Sequence, residues 1–162
     1  MLSKDSSTRL RGGLIVKVPL GTQSVAYGLT LKEPLIAFFE KEFPESSRPK
    51  PNEILDLPVL FILMVMNYAV TSGRWPIIYK VKIPQSLAKV PAFFKKDSRI
   101  GNLSIYQEVP ELAPLYERPA SHAECIGLER AAVWDPEHVE DRLRDRFAGR
   151  PNRWVEALKL EP

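Results

Sequence analysis

Cysteine, histidine and glycine are all scarce in this chain, and each shortage excludes a class of protein. The single cysteine, Cys125, rules out an internal disulfide and any metal site built on paired cysteines. The 8 glycines are scattered, and neither a glycine-rich phosphate loop nor a Gly-x-Ser-x-Gly motif occurs. The sequence therefore predicts a protein that is not an enzyme and has no catalytic residues, no cofactor and no metal.

Neither of the two histidines belongs to a recognisable catalytic or metal-binding motif. His122-Ala123-Glu124 resembles the first half of the zinc-dependent nucleobase deaminase signature, but a chain with one cysteine lacks the Pro-Cys-x-x-Cys half. We expect an extended segment around Cys125, which would put His122 roughly 10 Å away along the chain and on the opposite face. Cys125 is then a small apolar core residue. His138 falls in the first turn of a predicted helix, where we expect a surface residue.

Composition and charge are those of one ordinary domain. With 162 residues, of which 44% are hydrophobic, the chain is long enough for one core. We expect a flexible N-terminus at residues 1–13 and a single domain at residues 14–162. Residues 1–8 lack the apolar segment of a signal peptide, so we expect a cytoplasmic protein without membrane association. The net charge of +3 is small for a dedicated nucleic-acid binder.

Proline is abundant, at 15 residues, and marks where long elements cannot lie, because it is excluded from helix interiors and central strands. Residues 44–52 are polar and proline-rich, which predicts an exposed loop. The longer proline-free gaps run between Pro58 and Pro76, Pro91 and Pro110, Pro119 and Pro136, and Pro136 and Pro151.

The N-terminal part reads as β-structure. Residues 14–18 form a β-branched run, and after a turn at 19–22 positions 25, 27, 29 and 31 are apolar in alternation, which predicts a hairpin. Positions 24, 26, 28 and 30 are small; they suit either close approach of another backbone or a flat solvent side, and we favour the second. Residues 35–39 are apolar on both faces and predict a third strand.

The middle of the chain continues this pattern. Residues 57–66 are almost all apolar, which predicts a central strand buried on both faces, while a helix through 58–70 fits the same run. In residues 77–83 the odd positions are apolar, and Lys80 and Lys82 share the wet face of a predicted strand. Further strands are predicted at 103–109 and 125–133.

The last third is helical. Asp135 and Pro136 suit the start of a helix over residues 136–148, and Gly149 suits its end. A second helix is predicted at about 151–160, with Trp154 on its buried side. The predicted fold class is α+β: a single domain with a mostly antiparallel twisted β-sheet, with barrel-like closure as a variant, followed by C-terminal helices.

Positive charge is concentrated between residues 74 and 99. Seven lysines and arginines face one acid there, so the segment holds a net +6 while the rest of the chain nets −3. Such a segment is either a solvated rim of the sheet or a surface for an acidic partner. On the second interpretation the candidate partner-binding residues are Arg74, Lys80, Lys82, Lys95, Lys96 and Arg99.

Aromatic residues are mixed into this basic segment, as they are in protein interfaces and in nucleic-acid platforms. They are Trp75, Tyr79, Phe93 and Phe94. Because Tyr79 alternates with the lysines, we expect it to point into the core, which weakens the case for a stacking platform. The pattern thus favours a protein partner over nucleic acid.

Three blocks spread along the chain resemble one family. They are Val18 to Gly28, the turn Ser72-Gly73-Arg74-Trp75-Pro76-Ile77-Ile78, and Ile126 to Arg142. In order and spacing they are similar to the immunity protein 26 family of bacterial polymorphic toxin systems. The resemblance implies a small cytoplasmic protein that binds and neutralises a cognate toxin encoded nearby, with no active site to carry over. It also suggests structural roles: Gly73 in a tight turn, and Trp75 and Trp134 in the core.

These observations lead to one hypothesis and two alternatives. The hypothesis is an antitoxin, or immunity protein, that inhibits a toxin stoichiometrically by covering its active cleft. The first alternative is a small β-rich nucleic-acid-binding module that uses segment 74–99. The second is a hydrolase that uses His122 or Glu124. The sequence leaves the oligomeric state, the toxin's chemistry and the contact surface open.

Overall fold

The computed structural model describes residues 10–109 and 113–162. The chain divides into two compact units, Met1–Ile83 and Pro84–Pro162, and each is described by itself. Most of the predicted flexible N-terminus, residues 1–9, lies outside the described residues. The assignment of residues 14–162 to one domain stays a prediction.

The first unit is an antiparallel sheet with two short helices. Its paired strands lie in the order β5-β3-β2-β1-β6, with β4 beside β2. In chain order the elements are β1 (Leu14–Pro19), β2 (Ser24–Thr30), β3 (Leu35–Phe39), β4 (Phe43–Pro44), α1 (Pro51–Leu55), β5 (Val59–Val65), α2 (Tyr68–Thr71) and β6 (Ile77–Lys80). The predicted hairpin is therefore present as β1 and β2. Helix α1 begins inside the loop predicted at 44–52.

Strand β2 is buried on both faces, so the predicted solvent side is wrong. Gly28 lies against β3 so closely that a Cβ atom would meet the Ile36 Cγ2 at 3.0 Å and the Phe38 ring at 3.3 Å. The buried Thr30 is satisfied, since its hydroxyl accepts from the Leu14 amide at 2.9 Å and donates to the Arg11 carbonyl at 2.8 Å. The small side chains of β2 serve close packing.

The turn at Gly73 and the core position of Trp75 are confirmed. Gly73 has φ +84, a backbone conformation that favours glycine. Trp75 is fully buried and its ring packs edge-to-face on Phe38, with centroids 5.7 Å apart. The Trp75 amide donates to the Ala69 carbonyl at 2.8 Å, which ties the turn to α2.

The apolar run at 57–70 contains both a strand and a helix. Strand β5 covers Val59–Val65 and α2 follows at Tyr68–Thr71. Of β5 only Leu63 and Val65 are fully buried, so burial on both faces is wrong for most of this strand.

Strand β6 ends at Lys80 and is shorter than predicted, and a register shift interrupts its pairing with β1. Val16 pairs with Ile77 and Ile15 pairs with Tyr79, which leaves one residue of β6 between them without a partner on β1. The bulge breaks the predicted alternation, and Ile77 is 47% exposed.

The second unit is a four-stranded sheet with three helices. Its strands lie in the order β10-β7-β8-β9; β10 runs parallel to β7 and the other pairs are antiparallel. The elements are β7 (Phe93–Lys96), β8 (Leu103–Val109), β9 (Ala113–Pro119), α3 (His122–Cys125), β10 (Glu129–Arg130), β11 (Val133–Trp134), α4 (Pro136–Ala148) and α5 (Arg153–Leu158). The α+β class with C-terminal helices is confirmed. In the described part of the chain neither sheet closes on itself, so the barrel-like variant is not realised.

The single strand predicted at 125–133 is wrong: a helix ends at Cys125, and only the two short strands β10 and β11 form in the rest of the segment. In α3 the Ser121 hydroxyl accepts from the Glu124 amide, and the Glu124 carboxylate accepts from the Ser121 amide, both at 3.3 Å. This Ser-x-x-Glu capping box favours a helix over an extended segment. Cys125 is nevertheless buried as predicted, in a cluster with Phe94 and Ile105.

The C-terminal helices follow their local signals. The Asp135 carboxylate accepts from the Glu137 amide at 3.0 Å, and Gly149 ends α4 with φ +69. The Asn152 side chain caps α5, while His138 is half-buried and stacks on Trp154 with ring centroids 3.6 Å apart. None of the helices among residues 10–109 and 113–162 is long and apolar enough to cross a membrane.

Candidate functional site

The predicted partner-binding residues are divided between the two units. Arg74 lies in the turn after α2, Lys80 ends β6 and Lys82 follows it, all in the first unit. Lys95 and Lys96 lie in β7 of the second unit, and Arg99 lies in the turn between β7 and β8. All are exposed except Lys95, which is half-buried.

The turn between β7 and β8 is held by one carboxylate, that of Asp97. Its Oδ1 accepts hydrogen bonds from the amides of Arg99, at 2.8 Å, and Ile100, at 3.1 Å. The Asp97 amide donates to the Asn102 carbonyl at 2.8 Å, and the Gly101 amide donates to the Asp97 carbonyl at 2.9 Å. Because the bonds from Ile100 and Arg99 stabilise the ionised carboxylate, the pKa of Asp97 is lowered from its ordinary value of 3.8.

This bonded turn presents an apolar side chain beside a cation. Ile100 is 71% exposed, and Arg99 next to it is exposed as well. Gly101, with φ +74, supplies the left-handed residue that closes the turn. A large apolar residue on a pre-organised turn loses little conformational freedom when it enters a partner. We call residues 97–101 the hairpin tip.

A shallow groove of about 450 Å³ lies beside the hairpin tip, on β7, β8 and β9. Its charges are mostly paired. Lys95 lies 3.5 Å from the Glu117 carboxylate and 4.8 Å from the centre of the Tyr106 ring, and Lys96 lies 3.4 Å from the Glu161 carboxylate. Such exposed pairs contribute little to stability, so the lysines are available to a partner's acids.

Lys80 and Lys82 differ from this pair. No carboxylate of the described residues lies within 4.0 Å of either lysine, so their charge is uncompensated at short range. Tyr79 is half-buried rather than in the core, and its hydroxyl donates to the Pro49 carbonyl at 2.8 Å.

The other three aromatic residues of the basic segment 74–99 are buried. Trp75, Phe93 and Phe94 are all buried, so they present no ring face on which a base could stack.

The residues of the hydrolase alternative are engaged in structural contacts. Glu124 accepts from Arg118 Nη1 at 2.5 Å, and this bond lowers the pKa of the Glu124 carboxyl from 4.5. The exposed His122 lies with Nε2 2.7 Å from the Glu161 carbonyl oxygen. Burial raises the pKa of the Cys125 thiol. Within residues 10–109 and 113–162 no group of three or more His, Cys, Asp or Glu side chains could hold a metal ion.

Comparison with known protein families shows which family this chain belongs to. The model of a family described as Immunity protein 26 matches residues 11–102, more than half of the chain. The chain belongs to the immunity protein 26 family. No curated protein and no solved structure matches it.

The matched range of this immunity protein 26 family member contains every predicted partner-binding residue and the whole hairpin tip. Of the three blocks that carried the resemblance, those at 18–28 and 72–78 lie inside it. The block at 126–142 lies outside the matched range.

Sequence reasoning missed two parts of this site in the immunity protein 26 chain. The first is Ile100, whose turn was readable from Asp-Ser-Arg-Ile-Gly, a pattern with Asp at the start and Gly at the end. The second is Glu117 on β9, opposite Tyr106 on β8. Only the pairing of β8 with β9 brings that acid to Lys95, so no local signal indicates it.

Proposed function

We propose that this protein is a non-enzymatic immunity protein, acting in the cytoplasm, that binds a cognate toxin encoded beside it and neutralises it by covering its active cleft. The observation that carries the proposal is the match of residues 11–102 to the immunity protein 26 family. Protection of a cell from its own toxin demands tight binding, and a nanomolar dissociation constant corresponds to about −12 kcal/mol.

The hairpin tip supports a binding role and is our candidate for the central contact. Affinities of this order come from a few apolar, aromatic or arginine anchors inside an interface of roughly 1,600 Å². The tip offers an exposed isoleucine beside an arginine, on a turn already fixed by the Asp97 carboxylate. With Lys95 and Lys96 behind it, the tip suits an apolar recess with an acidic rim on the toxin.

Arg74, Lys80 and Lys82 keep a proposed role in the approach of the toxin. Exposed cations act on acidic surfaces across a Debye length, about 8 Å at physiological salt, and chiefly change the association rate. The uncompensated charge of Lys80 and Lys82 supports such a steering role.

The test is a calorimetric titration of this protein with an inactivated variant of the toxin domain encoded by the open reading frame immediately upstream. One-to-one binding at nanomolar or tighter affinity is the expected result. An inactivated toxin domain from an unrelated system serves as the control and should not bind. Absence of binding to the neighbouring domain at micromolar concentrations would overturn the proposal.

A protection assay completes this test. Cells that express the active toxin domain should survive only when this chain is co-expressed. Survival that depended on turnover of a substrate, rather than on a one-to-one ratio of the two proteins, would contradict stoichiometric inhibition.

A further inference from the structure

A second cavity lies in the second unit, and none of its lining residues belongs to the hairpin tip. It encloses about 370 Å³ and is walled by Phe94, Trp134, Leu128, Val155, Leu158 and Leu160, with Arg130 and Arg142 among its lining residues. Apolar walls with a few convergent polar groups are typical of binding sites.

Arg130 lines this cavity, and the Nε atom of its guanidinium lacks a hydrogen-bond acceptor. The residue ends β10, which pairs in parallel with β7, and its guanidinium lies over the Phe94 ring at 5.2 Å. Its Nε atom is buried, and no atom in the described part of the chain accepts a hydrogen bond from it. A buried donor without an acceptor costs free energy, and a bound acceptor would recover that cost.

Arg142 is held in a fixed position on the same cavity. It lies on α4, 5.1 Å over the Trp134 ring, and its Nη2 donates to the Glu129 carboxylate at 2.5 Å. Only 12% of its side chain is exposed. An arginine oriented by an aromatic face and a carboxylate is pre-organised for planar acceptors.

Charge and exposure at the cavity indicate the chemistry of an occupant. Of the cations that line the cavity, Arg142 pairs with Glu129 and Lys159 lies 3.9 Å from the Glu156 carboxylate. Within the described residues no carboxylate lies within 4.0 Å of Arg130, so its positive charge is not compensated at short range. Ile126, which also lines the cavity, is 65% exposed. An occupant that fits both features carries an anion and an adjoining apolar group.

We propose that this cavity binds a carboxylate carried on an apolar body, and that its occupant is an acidic residue of the toxin flanked by an apolar side chain. The second half rests on the proposed function. The planar carboxylate pairs with the guanidinium of Arg130, in the bidentate geometry that arginine forms well. The flanking side chain packs on the apolar walls and on Ile126.

The first experiment uses small probes, so that it stands without the toxin. Phenylacetate and its neutral counterpart phenylacetamide are titrated into the full chain, followed by NMR of the backbone amides and of the arginine Nε–H groups. Saturable millimolar binding of phenylacetate that shifts the Arg130 Nε–H signal, with at least tenfold weaker binding of phenylacetamide, is expected. Absence of saturation by phenylacetate overturns the site, and tighter binding of inorganic phosphate overturns its assignment to carboxylates.

Matched variants test whether phenylacetate binds in this cavity. Arg130→Met keeps an apolar stem over Phe94 and should weaken phenylacetate binding at least tenfold. Arg153→Met is the control, because Arg153 also lies over an aromatic ring, Trp154 at 4.2 Å, but does not line the cavity. If Arg130→Met does not fold, Leu158→Trp fills the cavity without altering either arginine and should abolish binding. Unchanged binding in the folded variant overturns the proposal.

Toxin binding by the same two variants tests whether the toxin is the occupant of the cavity. Arg130→Met should weaken toxin binding at least tenfold, while Arg153→Met leaves it unchanged. If the unaltered protein does not bind the toxin, the proposed function fails and the occupant fails with it, while the phenylacetate titration still decides the site. If the toxin binds both variants equally, only the occupant is overturned.

Discussion

The carboxylate of Asp97 accepts a hydrogen bond from the backbone amide of Arg99, 2.8 Å away. A second amide, that of Ile100, donates to the same oxygen, and together the two bonds shape the exposed end of the β7–β8 hairpin. The conformation of Arg99 and Ile100 at the tip therefore depends in part on one ionised group.

This dependence predicts how the tip responds to pH. The pKa of Asp97 is lowered in the folded protein, so its stabilising contribution is present above the unfolded pKa and is lost as the pH falls through the folded pKa. The amide proton shifts of Arg99 and Ile100, followed by NMR, should titrate together with a midpoint below 3.8. In Asp97→Asn this joint titration should vanish. A midpoint at or above 3.8 would show that the bonds do not form in solution.

The anchor role of the tip predicts a loss of toxin affinity on truncation. Ile100→Ala and Arg99→Ala should each weaken binding about tenfold or more, mainly through faster dissociation, because central anchors carry most of the binding energy. Surface plasmon resonance with the inactivated toxin domain measures both rates. Met66→Ala is the control for an exposed apolar residue, since Met66 is 42% exposed in the first unit. Equal affinities for all three variants would remove the tip from the interface.

Charge-reversal variants measure how much each half of the basic segment contributes to the rate of association with the toxin. Lys80→Glu with Lys82→Glu should slow association and flatten its salt dependence, since both charges lack short-range partners. Lys95→Glu with Lys96→Glu should slow it further, about tenfold at low salt, because the new carboxylates would join Glu117 and Glu161. Stopped-flow association rates at several salt concentrations provide the test. Unchanged rates in both double variants would remove segment 74–99 from the approach of the toxin.

Two glycines form a matched pair for testing the first unit. Gly13 and Gly73 have nearly equal angles, φ +87 and +84, but a Cβ on Gly13 would lie 2.4 Å from the Val81 carbonyl oxygen, whereas one on Gly73 meets nothing within 4 Å. Gly73→Ala should cost about 1 kcal/mol for the left-handed conformation. Gly13→Ala adds a backbone clash and should cost about 3 kcal/mol in total. Urea unfolding measures the free energy of unfolding of both variants. Equal losses would show that the backbone around Val81 moves to accommodate the added methyl group.

The buried thiol of Cys125 should be inert. Burial raises its pKa, so at pH 8 the thiol stays protonated in the folded protein. Reaction with a thiol reagent such as dithionitrobenzoate should be slow in native buffer and complete within seconds in guanidinium chloride. Cys125→Ala should keep protection against the toxin. Fast native labelling, or loss of protection in a folded Cys125→Ala variant, would instead support a reactive site.

The helix over residues 136–148 was predictable because its signals are local. The Asp135 carboxylate and the left-handed Gly149 act within one turn of the helix ends, and the structure has both. The segment around Cys125 was misjudged although it, too, carries a local signal, the Ser121–Glu124 capping box.

Strand β2 shows what local pattern cannot decide. Its small residues suit either solvent or a close neighbour, and only the register that puts Gly28 beside Phe38 shows that a neighbour is present. The same holds for β6, where pairing with β1 introduces a bulge that the alternation of residues 77–83 does not reveal.

The sequence alone determined the α+β class, the capped C-terminal helices, the basic segment and the blocks shared with the immunity protein 26 family. These features could be predicted because periodicity, capping and charge are properties of neighbouring residues. The tertiary structure alone decided that the basic segment falls into two units, that Ile100 stands exposed on a turn tied by Asp97, and that Arg130 and Arg142 line one cavity. These features depend on which distant strands pair and which side chains the packing leaves outside, and such long-range choices are made by the whole chain together.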